Sequence, residues 1–137
     1  MTPFAFSLQR VLDYRRLEEQ WAQEAFRLAR TAVAEAEWEL DAIRSRRASL
    51  DDSPVPTIAA RLDLEACHRE LTREEESAQN RLALLANDEA RALDEWKVCR
   101  IAAEALAKLR EAAFEEWTRE QSRIEQAELD EWAVLRR

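Results

Sequence analysis

Apolar residues between Leu8 and Ile43 recur in steps of three and four, which keeps one face of an α-helix apolar. The repeating positions are Leu8, Leu12, Ala22, Phe26, Ala29, Val33, Ala36, Leu40 and Ile43. A seven-residue repeat of this kind is typical of a coiled coil. It predicts a first helix over about residues 3–50, with Thr2 as its cap and Pro3 in its first turn, or with Ser7 as an alternative cap.

The same repeat returns in the second half of the chain and continues almost to its end. One column of the repeat holds Leu64, Leu71, Ala78, Leu85, Ala92, Cys99, Leu106, Ala113, Glu120, Ala127 and Val134. Its companion column is half polar and holds His68, Glu75, Leu82, Glu89, Trp96, Ala103, Arg110, Trp117, Ile124 and Glu131. The unbroken register predicts a second helix over about residues 58–135 and a left-handed supercoil.

Residues 51–57 interrupt the two repeats and contain Pro54 and Pro56. Proline lacks an amide donor and disfavours helix in the residue before it, so this segment is the predicted turn. Thr57 can cap the second helix. A short turn makes the helices antiparallel neighbours, so the expected fold class is all-α, with residues 1–137 forming a single antiparallel coiled-coil hairpin.

The two predicted helices differ greatly in length. If the turn centres on Ser53, Leu8 lies opposite a residue near Val98, and roughly 35 residues beyond Arg100 overhang without a partner from the first helix. The overhang keeps its apolar stripe, including Trp117 and Trp132, and so predicts a surface for another protein. Two alternatives are a fold-back near Asn87 and the pairing of two copies through their overhangs.

Charge narrows the classes of partner. The net charge is -8, and because residues 1–50 are balanced, the whole excess lies in residues 51–137. An acidic surface repels nucleic acid and anionic lipid, which favours a protein partner with a basic surface. No apolar run has the length of a membrane span, and the N-terminus lacks a secretory leader, so we expect a cytoplasmic protein.

The residues that carry chemistry form no recognisable catalytic set. With no glycine in the chain there is no phosphate-binding loop. Glu65 and His68 have the spacing of a di-iron ligand pair, but a site would need a second copy of that pair and further inward glutamates. His68 is more simply a polar residue tolerated in the seam. We therefore expect no enzymatic activity, no metal and no cofactor.

Both ends of the chain resemble one protein family. The segment Phe4-Ala5-Phe6-Ser7-Leu8-Gln9-Arg10-Val11-Leu12-Asp13-Tyr14-Arg15 resembles the start of the flagellar export protein FliJ, and Gln126-Ala127-Glu128-Leu129-Asp130-Glu131-Trp132-Ala133-Val134-Leu135-Arg136 is similar to that family's C-terminal signature. The resemblance implies a soluble component of the flagellar type III export apparatus. It further implies a coiled coil, like the central stalk of a rotary ATPase, that binds a hexameric export ATPase, promotes its assembly and activity, and contacts the export gate and export chaperones.

On that resemblance we expect ten residues near the two ends to bind the partner. They are Phe4, Phe6, Leu8, Val11, Leu12, Trp117, Ile124, Leu129, Trp132 and Leu135. In a straight hairpin with the turn at Ser53, the two groups would lie about 30–50 Å apart and form separate contact zones. The stalk protein of a virulence injectisome and a self-associating structural coiled coil are the alternative functions.

Overall fold

The structure is a computed structural model, and it describes residues 2–137. Two α-helices make up most of it: α1 runs from Gln9 to Asp51 and α2 from Ile58 to Leu135. The described residues contain no strand, and the helices pack against each other as an antiparallel hairpin. This confirms the predicted all-α fold class.

The N-terminal segment departs from the prediction, because α1 begins at Gln9 and not near residue 3. The amide of Gln9 donates to the Phe6 carbonyl at 3.1 Å, and the amide of Leu12 donates to that of Leu8 at 2.9 Å. Before this first turn Phe4 and Phe6 are half-buried while Ala5 is exposed. Extended chain places alternate side chains on one side, whereas a helix would turn these two rings about 200° apart. Packing of Phe4 thus overrides the Thr2-Pro3 start signal.

The connection between the helices holds both remaining prolines. The Ser53 amide donates to the Leu50 carbonyl at 3.1 Å as α1 ends. Thr57 then caps α2, since its hydroxyl accepts a hydrogen bond from the Ala60 amide at 3.1 Å. The cap satisfies one of the amides that lack a partner in the first turn of a helix.

Residues 22–95 form one compact unit, which we call the loop-side unit. Its core consists of Leu40, Ile43 and Ala78, with Leu71 and Leu82 packed against them. All five belong to the predicted seams. Burying leucine and isoleucine side chains contributes roughly 1.5–3 kcal/mol each, which makes this apolar contact the main stabilising feature of the unit.

Ion pairs fix the register of the helices in the loop-side unit. Glu75 on α2 accepts hydrogen bonds from Arg44 at 3.1 Å and from Arg47 at 2.5 Å, both on α1. These two guanidinium groups, Arg44 first, lower the pKa of the Glu75 carboxyl below its ordinary value. Nearer the loop, Oδ1 of Asp51 lies 3.1 Å from Nε2 of His68. The half-buried seam position of His68 therefore has a polar partner on α1.

The observed register differs from the one expected for a turn centred on Ser53. Because Asp51 is level with His68, residues 58–67 of α2 extend past the end of α1. That distance is about 15 Å, and the six residues of the loop can span it because extended chain covers about 3.3 Å per residue. The loop therefore runs along the first turns of α2 instead of turning tightly.

Residues 2–21 and 96–137 belong to a second compact unit, which we call the terminal unit. Its most deeply buried apolar residues are Leu12, 0% exposed, and Ala103, 3% exposed. Arg110 on α2 donates from Nε to the Gln9 side-chain oxygen at 2.8 Å. The start of α1 is therefore level with Arg110, not with Val98. The expectation that α2 has no partner beyond Arg100 was wrong, and the shifted register is the reason.

Candidate functional site

The last part of α2 is the most exposed apolar surface of the terminal unit. Every residue from Ser122 to Arg137 is exposed. The large apolar side chains among them are Ile124, Leu129, Trp132, Val134 and Leu135. We call this stretch, residues 122–135, the free face. Ile124 and Val134 continue the heptad columns of α2, whereas Leu129, Trp132 and Leu135 lie outside them, and in the described part of the chain no side chain buries this stretch.

The free face is shorter than the overhang predicted from the sequence. Seam positions remain at least half-buried as far as Trp117, and the first seam position to be exposed is Glu120. The unpaired stretch therefore begins about twenty residues later than Arg100, so it spans about 20 Å of helix instead of about 50 Å.

An aromatic cluster lies in the terminal unit where the paired part of α2 ends. Phe4 meets Phe114 edge-on, with ring centroids 5.2 Å apart and an interplanar angle of 80°. Its ring is also 5.9 Å from that of Trp117, and Phe114 and Trp117 are stacked at 5.8 Å on one face of α2. The Arg110 guanidinium lies 5.4 Å from the centre of the Phe4 ring. Edge-on aromatic pairs and a cation over a ring are both attractive geometries.

The aromatic cluster corrects the expected separation of Phe4 from Trp117. Phe4 touches Trp117, and Trp117 lies two helical turns before Ile124 on the same side of α2. Phe4 and Trp117 are therefore neighbours, whereas the C-terminal signature begins at Gln126, nine residues or about 13 Å farther along α2. The separation of Phe4 from Trp117 was overestimated for two reasons: the register of the helices is shifted, and extended chain reaches farther per residue than helix.

The structure divides the ten predicted contact residues into three groups. Leu12 is fully buried inside the terminal unit, so its side chain does not reach the surface and supports the packing of the helices instead. Phe4, Phe6 and Trp117 are half-buried. The exposed remainder consists of Leu8, Val11, Ile124, Leu129, Trp132 and Leu135.

The free face has acidic edges. A shallow groove between Leu129 and Trp132 is flanked by Glu125 and Glu128. Trp132 is 63% exposed, and one face of its ring carries the Arg136 guanidinium at 5.0 Å. An indole that already holds a guanidinium beside carboxylates is chemically suited to basic side chains of a partner.

Glu120 marks the boundary between the paired part of α2 and the free face. Its carboxylate accepts two hydrogen bonds from Arg123, at 3.0 and 2.6 Å. The hydrogen bonds to Arg123 lower the pKa of Glu120 below its ordinary value. A charged residue in the seam costs little here, because the seam is open to water at this point.

Sequence reasoning missed the roles of Gln9 and Arg110, which tie the two ends of the chain together. It placed Phe114 in an unpaired overhang, although this ring forms part of the aromatic cluster. The available signal was the alternation Phe4-Ala5-Phe6-Ser7, which is typical of extended chain with one buried side.

The remaining reactive side chains form no further site among residues 2–137. Cys67 and Cys99 are free thiols. Glu65 pairs with Arg61 at 3.7 Å, and the described residues hold no group of three or more potential metal ligands. Within the same residues, no helix has the length and hydropathy needed to span a membrane.

Comparison with known proteins identifies the family. A family model described as Flagellar FliJ protein matches residues 4–136, which is nearly the whole chain. No curated protein and no solved structure matches the chain. The match includes the extended N-terminal segment, both helices and the free face, and with it the chain belongs to the flagellar FliJ family, as a component of flagellar type III export.

Proposed function

We propose that this protein acts as a stalk-like coiled coil that binds the hexameric export ATPase and promotes its assembly and activity. In this proposal it works in the cytoplasm, next to the inner-membrane export apparatus, and also contacts the export gate and export chaperones. The observation that carries the proposal is the free face of α2, an apolar helix surface left uncovered beside the aromatic cluster.

The free face has the properties of a helix that docks into a groove of a partner. Apolar anchors recur along it at Ile124, Trp132 and Leu135, and tryptophan is prominent among residues that dominate binding energies. Burial of the exposed part of Trp132 alone would contribute roughly 2–4 kcal/mol before the costs of association. The carboxylates beside the groove favour a partner with a basic rim.

The role proposed is one of binding and not of catalysis. Activation of an ATPase by a bound coiled coil requires only that the coil prefers one arrangement of the ring over others. The acids of the chain lie mostly exposed along its helices and are well suited to solubility and partner choice.

The test is the ATP turnover of the cognate export ATPase, measured against increasing concentrations of this protein. Wild type should stimulate turnover, and the double variant Leu129→Ala, Trp132→Ala should need at least about tenfold more protein for half the effect. Trp38→Ala is the matched control, since Trp38 is 80% exposed on α1 of the loop-side unit and lies outside the proposed surface. Absence of stimulation by wild type would remove the proposal, as would equal potency of the double variant.

The same free face would also allow the chain to associate with itself. Light scattering across a concentration series separates the two roles. A stable dimer that is insensitive to the double variant, together with an unstimulated ATPase, would support a structural coiled coil instead.

A further inference from the structure

The extended segment Thr2–Ser7, which we call the strap, is held on α2 mainly by side chains. Phe4 provides the ring contacts with Phe114 and Trp117, and the Arg110 guanidinium lies 5.4 Å from the centre of the Phe4 ring. Among residues 2–137, the backbone hydrogen bond of the strap is the one between Phe6 and Gln9, which leads into α1 and not to α2. A segment with so few backbone hydrogen bonds opens locally at low cost.

The strap covers a surface that continues the free face. Trp117 is seven residues before Ile124, which places both side chains on the same side of α2. Phe114 and Arg110 lie one and two turns farther toward the N-terminus of the helix. Removing Phe4 would therefore lengthen the free face toward Arg110 without any change in α2 itself.

We propose that the strap is a releasable cover: it masks Trp117 and part of Phe114, which stays 45% exposed, while the chain is free, and it leaves both when a partner binds the free face. The inference rests on the proposed function, because the partner that gains this surface is the export ATPase ring. Release gives the ATPase two further aromatic anchors on α2, with Trp117 about two helical turns before Ile124.

The size of the effect follows from the contacts that hold Phe4. Each aromatic contact of this geometry shifts an equilibrium by about twofold to tenfold. A surface that is open in only a fraction of molecules binds its partner with an affinity reduced by that fraction. Loss of the Phe4 side chain removes both aromatic contacts together and should therefore tighten binding of the export ATPase by at least about fourfold.

The first test needs no partner. The full chain labelled with 5-fluorotryptophan gives a fluorine resonance for each tryptophan, and Trp117→Phe assigns the one from Trp117. In Phe4→Ala, a soluble nitroxide should broaden this resonance nearly as much as that of the exposed Trp38. Tyr14→Ala is the control, because it removes an exposed aromatic side chain from the same unit and leaves the aromatic cluster in place.

Arg110→Met gives a second variant that keeps the long side chain and removes both the guanidinium over Phe4 and the bond to Gln9. It should also increase the broadening of the Trp117 fluorine resonance by the nitroxide. The circular dichroism of the helices should stay unchanged. A Trp117 resonance that stays protected in both variants would overturn the inference.

The second test measures the affinity of the full chain for the cognate ring ATPase. Phe4→Ala should bind more tightly than wild type, and adding Trp117→Ala to it should reverse the gain. An unchanged or weaker affinity of Phe4→Ala would show that the strap does not mask the surface. Failure of wild type to bind the ring at all would instead remove the proposed function, while the fluorine experiment would still decide whether Phe4 covers Trp117.

Discussion

Two stretches of α2 share one heptad pattern but differ in what covers them. Between Leu64 and Trp117 both columns of the repeat are buried or half-buried, whereas between Glu120 and Val134 every position of both columns is exposed. The periodicity of a helix therefore predicts which face is apolar, but a partner must be present for that face to be buried. The free face is the part of α2 for which this chain supplies none.

The paired stretch also has polar contacts that the free face lacks among the described residues. Arg44, Arg47 and Glu75 join α1 to α2 in the loop-side unit, and Gln9 with Arg110 does so in the terminal unit. Beyond Glu120, the described ion pairs and side-chain hydrogen bonds connect residues of α2 only with one another. The paired stretch is fixed in register, while the free face can adapt to another surface.

Substitution of one leucine in each kind of environment should give the largest contrast in stability. Leu40→Ala removes a side chain from the core of the loop-side unit and should lower the free energy of unfolding by about 2–5 kcal/mol. Leu129→Ala, at an exposed position of the free face, should change it by no more than about 0.5 kcal/mol. Urea unfolding followed by circular dichroism measures both.

Equal losses from the two substitutions would contradict the comparison. They would mean that Leu129 is buried in solution, either within the chain or against a second copy. A free energy of unfolding that rises with protein concentration would identify the second copy.

Hydrogen exchange should show a smaller difference along α2. Amides in residues 122–135 have intrahelical hydrogen bonds but no packed neighbour, so they should exchange at least about tenfold faster than amides in residues 71–103. Mass spectrometry of peptic peptides after deuterium exchange resolves the two stretches. Uniform protection along α2 would show that the free face is covered.

The fold class and the seam could be predicted because both depend on local pattern. The absence of glycine, the two prolines and the heptad columns identified two helices and the faces that meet, and the buried Leu40 and Ile43 lie on the predicted face. The register could not be predicted in this way. It depends on the path of residues 52–57, and a heptad repeat fits equally well after a shift of one or two heptads.

The candidate site could be predicted only in part, because it depends both on the local pattern and on the register. Exposed Ile124 and Val134 follow from an unpaired helix end, since α2 is longer than α1 in any register, while Leu129 and Trp132 lie outside both heptad columns. The contact between Phe4 and Trp117 depends on the shifted register and on an extended N-terminus, so the sequence alone placed the two rings far apart.

Low pH should destabilise the paired stretch by protonating Glu75. The resulting loss of stability should be smaller than the loss caused by Leu40→Ala. The folded pKa of Glu75 lies below its unfolded value, so its stabilising effect is fully present above the unfolded pKa and is lost as pH falls through the lowered folded pKa. Glu75→Gln should lower the melting temperature at pH 7 and reduce its dependence on pH in that acidic range. Thermal melts from pH 3 to pH 7 measure both.

Glu70→Gln is the matched control for this effect. Glu70 lies on the same helix and pairs only with Arg73, at 3.7 Å and largely exposed, within the described chain. Its substitution should leave the melting temperature and its pH dependence almost unchanged. An identical pH profile for wild type and Glu75→Gln would show that Arg44 and Arg47 do not stabilise the ionised carboxylate.

Removal of residues 122–137 should have only a small effect on stability, although it deletes sixteen residues. These residues bury no seam position, so the free energy of unfolding should change by less than about 1 kcal/mol. Removing residues 2–7 is the informative comparison, because that shorter deletion takes away the Phe4 ring and exposes Trp117. If the longer deletion destabilises the chain more than the shorter one, the free face is already packed in the isolated protein. If it does not, residues 122–137 are dispensable for folding, and their apolar pattern is best explained by a partner.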